Sequence, residues 1–389
     1  MSASIADQLR FEPATVPDEL KDLRAEVRSF LETELADYSV VSRSHGWEAY
    51  DADFSAKLGA RGWLGMTLPK EYGGHGRGAF ERYVIVEECL AAGAPTAFHW
   101  VADRQSGPLL VRYGTEEQKK KIIPEITAGK ACVAIGMSEP NSGSDLASLK
   151  TRAEKTSNGW LVNGTKIWTS NAHRADYMIA LFRTDPDPDK KHGGLSQFLI
   201  DLSKAKGITP RTIQNLAGGR NFNEVSFVDV ELPDDALIGA EGAGWKQVTE
   251  ELAFERSGPE RYLSCFFLLR KLIDAVKDTA DGATLARLGN QIAWATTLRN
   301  MSLSIASKLN AGEDPLLESA IVKDLGCQFE QGLPGLAQEL CDLEPTLEGD
   351  GSDYQQVLGS LMQIAPSFSL RGGTPEIMRG IIAKGMGIR

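Results

Sequence analysis

Four short stretches carry residue types that could do chemistry. Residues 137–151 read Met-Ser-Glu-Pro-Asn-Ser-Gly-Ser-Asp-Leu-Ala-Ser-Leu-Lys-Thr. Their hydroxyls and backbone N–H groups could cradle a phosphate or donate to a polar ring. Read alone, such a cluster is most often a plain loop. Residues 166–171, Lys-Ile-Trp-Thr-Ser-Asn, set the π-face of Trp168 beside the hydroxyl of Ser170. Residues 252–259, Leu-Ala-Phe-Glu-Arg-Ser-Gly-Pro, place Glu255 on one helical face with Leu252, Arg256 and Pro259. That carboxylate is either part-buried or an ordinary surface glutamate. Residues 371–376, Arg-Gly-Gly-Thr-Pro-Glu, form a turn whose adjacent glycines let backbone approach a ligand closely.

The elements that must position these stretches follow from the periodicity. Apolar residues at helical spacing over 17–36 predict an amphipathic helix, and more helices follow up to about residue 130. Thr115, followed by acids, is a predicted N-cap. Short β-type runs fill 131–237, where Asn163-Gly164 reads as a hairpin turn. Long amphipathic patterns return after residue 238 and predict a helical bundle. The expected class is α+β: an N-terminal α-helical domain (1–130), a small β-barrel or sandwich domain (131–237) and a C-terminal α-helical domain (238–389).

The chain has 389 residues, is 42% hydrophobic and 24% charged, and carries a formal net charge of -11. This argues against a broad nucleic-acid-binding surface, though a local basic pocket for a phosphorylated ligand remains compatible. The five cysteines form no CxxC pair, so free thiols are expected and no metal site. No apolar run reaches membrane-spanning length and no targeting pattern is evident at the N-terminus, which predicts a cytoplasmic protein without membrane contact.

The two segments 137–151 and 166–171, at this spacing, resemble the acyl-CoA dehydrogenase family, with its acidic-Pro-x-x-Gly-Ser-Asp and Trp-x-Thr-Asn type motifs. The helical–β–helical order, the Leu-Pro-Lys-Glu-Tyr-Gly-Gly stretch at 68–74 and residues 175–184 extend the resemblance over nearly the whole chain. It implies FAD as cofactor and α,β-dehydrogenation of an acyl-CoA thioester to the trans-2-enoyl-CoA. Carried over by position, Met137 and Ser138 meet the isoalloxazine ring, while Gly143 and Ser144 lie near phosphates of FAD or of CoA. Trp168 covers a flavin face, and Ser170 bonds near its reactive edge. Thr374 and Glu376 are C-terminal cofactor contacts, Glu376 at the far end of FAD.

The reaction needs a carboxylate to take the α-proton. Many members of the family place it before a Gly-Thr near the C-terminus; that position here is Gly372, which cannot act as a base. Other members carry it on a helix in a Leu-x-x-Glu-Arg segment, which Leu252–Arg256 matches. The resemblance therefore implies Glu255 as base, Arg256 as a contact to CoA or FAD phosphates, and Gly372 as the backbone N–H donor to the thioester carbonyl. A glycine there also leaves room for a bulky or branched acyl group.

Two family features are missing. No Arg-x-Phe-Gly segment follows the first C-terminal helices, and no Gln-x-x-Gly-Gly-x-Gly stretch precedes the C-terminal turn. In typical homotetramers these contact FAD on a neighbouring subunit. A homo-oligomer with altered contacts, or a heterotetramer with an unlike acyl-CoA dehydrogenase-type subunit, is expected. An electron-transferring flavoprotein is the expected acceptor. The alternatives are a flavin-dependent oxidase or monooxygenase on the same fold and a non-catalytic partner subunit that helps to form an FAD site.

Overall fold

The computed structural model describes residues 9–187, 189, 191–256, 258–347 and 349–388, without the side chains of Trp47 and residues 251–255. The chain divides into two units. One comprises residues 51–76 and 97–252, the other residues 1–50, 77–96 and 253–389.

In chain order the helices before the sheet are α1 (Lys21–Glu34), α2 (Val40–Ser44), α3 (Ala52–Ala60), α4 (Ala79–Ala92), α5 (Gly107–Tyr113) and α6 (Glu116–Thr127). Helix α1 buries Val27, Phe30 and Leu31, as its apolar spacing requires. Thr115 caps α6, and its pairing with Gln118 forms a complete capping box. A fully buried π-helical turn, Ala102–Ser106, leads directly into α5.

Seven strands form one sheet: β1 (Val133–Gly136), β2 (Arg152–Thr156), β3 (Gly159–Ser170), β4 (Tyr177–Arg183), β5 (Leu195–Asp201), β6 (Ile208–Ile213) and β7 (Phe222–Leu232). The spatial order is β1-β4-β2-β3-β7-β6, with β5 also on β4. β1 runs parallel to β4, whereas β3 and β7 pair antiparallel along nearly their full length. Trp160, Phe182, Phe198 and Phe227 fill the core beneath the sheet, Trp160 meeting Phe198 edge-on at 5.2 Å.

The hairpin expected at Asn163-Gly164 is not there. Those residues lie inside β3, and the β2–β3 turn falls at Ser157-Asn158, just before Gly159. Gly164 serves a bulge instead: its φ is +146°, and a Cβ there would sit 2.5 Å from the Thr151 hydroxyl.

After the sheet come α7 (Gly244–Glu255), α8 (Phe266–Val276), α9 (Gly282–Asn310), α10 (Leu316–Leu340), α11 (Asp353–Ile364) and α12 (Pro375–Gly385). Ser352 caps α11 with a second capping box. All five cysteines are free and buried. Among the described residues no helix is long and apolar enough to cross a membrane.

Candidate functional site

The residues singled out in the sequence fall into two groups, one in each unit. In the unit that holds the sheet, Met137 and Ser138 follow β1 directly and are half-buried. Their loop is pinned from β3. Lys166 and Thr169 of β3 pair with Val225 and Asn223 of β7, so Ile167 and Trp168 together face the single residue Glu224. This bulge takes the Ile167 N–H out of the ladder, and it donates to the Ser138 carbonyl at 2.8 Å. The same bulge puts Trp168 in left-handed backbone at φ +59° and leaves its indole 57% exposed. A left-handed non-glycine residue costs of order 1–3 kcal/mol and collects at functional sites. Phe222 props the ring edge-on at 6.1 Å. Ser170 is half-buried two residues on, and Asn171 is again left-handed.

Beneath the loop lies an ion pair that the sequence did not single out. Lys166 is fully buried; its Nζ donates to the Met137 carbonyl at 3.0 Å and to Glu139 Oε1 at 2.9 Å. Glu139 also accepts from the backbone N–H of Lys150 at 2.7 Å and of Thr151 at 2.9 Å. Both ends of the loop are thereby tied to one carboxylate. Burial pulls the Lys166 ammonium down to about 8, against the upward pull of Glu139. Burial opposes the Glu139 charge too, but Lys166 and the bonds from Thr151 and Lys150 outweigh it and hold the carboxyl below its ordinary range. The only sequence signal was an acid before a proline and a lysine before the tryptophan, and neither type announces a buried partner.

Gly143 and Ser144 lie exposed at the loop tip. Asp145 organises the segment behind that tip: its carbonyl accepts from the Ser142 hydroxyl at 2.7 Å, and its carboxylate accepts from Ser148 and pairs with Lys191 at 3.0 Å. A cavity of about 500 Å³ opens nearby, lined by Ser148, Lys150, Arg152, Arg183 and Lys191 with Asp187 as its one acid. Of its four cations, Lys191 pairs with Asp145, Arg152 lies 3.8 Å from Glu154 and Arg183 is bonded to the Leu149 and Ala147 carbonyls, which leaves Lys150 to meet a phosphate-bearing ligand.

In the other unit, α7 ends at Glu255, so the helical face expected to continue to Pro259 is broken; a 3₁₀ turn, Pro259–Arg261, comes next. The Glu255 side chain lies outside the described residues. Arg256 is 3% exposed, and its Nε donates to the Gly372 carbonyl at 2.9 Å. Gly372 and Gly373 both have positive φ, +65° and +94°. A Cβ on Gly373 would lie 2.7 Å from Met378 Cε and 3.3 Å from Arg256 Nη2. Thr374 caps α12, with Pro375 at its first position. Glu376 stands exposed in the first turn; its bond with Thr374 and the helix N-terminus hold it below the ordinary carboxylate range.

The donor set fits a flavin. A propped, exposed indole stands at a strand end, half-buried hydroxyls flank it, and a rigidly held loop runs alongside.

The chain is similar over most of its length to proteins of one family. The family model described as acyl-CoA dehydrogenase, N-terminal domain matches residues 17–130, and the middle-domain model matches 134–230. The acyl-CoA dehydrogenase FadE26 of Mycobacterium tuberculosis is 31% identical over 384 residues, covering 93% of this chain and 95% of the relative. The solved structure of the Tcur3481-Tcur3483 steroid ACAD superposes with a TM-score of 0.85 at 28% identity, over 99% of this chain and 100% of that one. The ChsE4-ChsE5 complex from Mycobacterium tuberculosis gives 0.83 at 28% identity, over 96% and 97%. The chain belongs to the acyl-CoA dehydrogenase family.

Proposed function

We propose that the chain dehydrogenates an acyl-CoA thioester between its α and β carbons with FAD, and that Glu255 is the base. The observation that carries this is covalent. Glu255 is joined by one peptide bond to Arg256, whose guanidinium holds the Gly372 carbonyl. The family's usual base position is a glycine here, and the Glu255 backbone is one peptide bond from the residue that holds that turn.

FAD, when bound, supplies the hydride acceptor. Met137, Ser138, Trp168 and Ser170 would hold its ring; Gly143 and Ser144 stand near phosphates of FAD or CoA, and Thr374 with Glu376 would meet its far end. The cavity beside Lys150, Arg152, Arg183 and Lys191 suits the phosphates of CoA. Glu255 takes the α-proton. The Gly372 N–H donates to the thioester carbonyl, where negative charge grows as that proton leaves. Arg256 acts here as the buried brace of the turn. The small Gly372 leaves room for a bulky or branched acyl group.

An unlike subunit is proposed to complete the FAD site, since the two adenine-end motifs are missing and the similar solved structures carry paired designations. An electron-transferring flavoprotein is the proposed acceptor. The test is Glu255→Gln in the flavin-loaded protein, with anaerobic bleaching by butyryl-, isovaleryl- and octanoyl-CoA as readout. Bleaching should fall about 10²–10⁴-fold while the oxidised flavin spectrum persists. Unchanged bleaching would remove Glu255 from the mechanism.

A further inference from the structure

Two consecutive left-handed glycines have few restraints of their own, so an N–H donor placed there needs its direction set from outside. Helix α10 supplies that restraint. Lys323, Cys327, Glu330 and Gln331, at i, i+4, i+7 and i+8, share one face of it. Lys323 donates to the Ser369 carbonyl at 3.4 Å, Cys327 to the Phe368 carbonyl at 3.3 Å and Gln331 to the Pro366 carbonyl at 3.1 Å. Three carbonyls of the segment running into the turn are held by this helix.

Its last hold is ionic. Arg371 Nη2 donates to Glu330 Oε2 at 2.9 Å and to the Ser264 hydroxyl at 2.6 Å, with the guanidinium 4.3 Å over the Phe368 ring. Glu330 is fully buried, and its second oxygen accepts from the Ser264 N–H at 2.8 Å. An apolar pair of similar size would hold the core about as well as a buried ion pair does. What the pair adds is fixed geometry one residue before Gly372.

We infer that Glu330, acting through Arg371, is a positioning residue for the Gly372 backbone N–H. This rests on the proposed role of that N–H in polarising the thioester carbonyl. Arg256 holds the Gly372 carbonyl and Arg371 holds the entry to the turn, so restraints stand on both sides of that N–H.

The test uses two ligands that cannot react. Pivaloyl-CoA has no α-hydrogen, and its S-neopentyl thioether differs only in lacking the carbonyl. Both are titrated calorimetrically into the flavin-loaded wild type and the Glu330→Met/Arg371→Met variant, whose apolar pair keeps the core filled. The wild type should prefer the thioester by roughly tenfold, one hydrogen bond's worth. The variant should lose that preference, with thioether binding unchanged. If it does not accumulate as folded protein, Glu330→Gln is read in the same way. A variant that keeps the full preference overturns the inference alone. A wild type that binds both equally overturns the polarising role of the turn and this inference with it.

Discussion

Arg256 Nε lies 2.9 Å from the Gly372 carbonyl, so the residue after the proposed base holds the turn proposed to polarise the substrate. The proposed base and the proposed donor are thereby linked through Arg256. Arg256→Lys should lower kcat more than it raises KM, because an ammonium cannot reproduce the directional guanidinium bond. A tenfold or larger fall in kcat with KM changed less than about threefold is the expected split. A rise in KM alone would place Arg256 on the CoA phosphates instead.

Gly373 tests the same link through sterics. Its φ of +94° disfavours any side chain, and a Cβ would crowd both Met378 and Arg256. Gly373→Ala should cost about 1–3 kcal/mol of stability and disturb the Arg256 brace. Chemical denaturation reads the first effect, and the flavin bleaching rate reads the second. A variant as stable as the wild type would mean that the turn relaxes freely.

The buried Lys166–Glu139 pair under the 137–144 loop makes stability depend on pH. Lys166 titrates near 8 in the folded chain against 10.5 for a free lysine, so the unfolded chain holds the proton more tightly. Stability from this group therefore rises with pH between those values. Glu139 is depressed below 4.5, so its contribution is present above that value and lost as pH falls through the folded value. Glu139→Gln leaves a buried ammonium without its counter-charge and should cost about 3–5 kcal/mol near pH 7. The deficit should shrink by pH 9, where Lys166 sheds the proton. Urea midpoints at pH 6, 7.5 and 9 measure this; a constant deficit would mean that Lys166 stays charged.

Much of the fold was legible because it obeys local rules. The Thr115 cap, the apolar stripe of α1 and the switch to β-type runs after residue 130 are encoded within a few residues of where they act. Asn163-Gly164 misled because the same dipeptide occurs at Asn158-Gly159, where the Ser157-Asn158 turn passes into β3. Only the Thr151–Gly164 packing tells the bulge from the hairpin, and that contact is long-range. The loop at 137–144 and Trp168 were singled out by residue type and by the family resemblance of their paired motifs. Their fasteners, Glu139–Lys166 and Glu330–Arg371, were not, because a buried charge looks like a surface charge until its partner across the fold is known.

Trp168 separates cofactor binding from folding. Its indole is 57% exposed and touches Phe222 only at the edge, so the apoprotein gains little from it. Alanine tolerates left-handed backbone no worse than tryptophan does, and the bulge that sets this conformation belongs to the β3–β7 register. Trp168→Ala should therefore change apoprotein stability by no more than about 0.5 kcal/mol. Removing a ring that stacks on the flavin should instead weaken FAD binding by about 1–3 kcal/mol, the scale measured for aromatic–base stacking. Fluorescence titration of the apoprotein with FAD, beside its thermal midpoint, makes the comparison. Loss of stability without loss of FAD affinity would turn Trp168 into a structural residue and leave its strained backbone without a function.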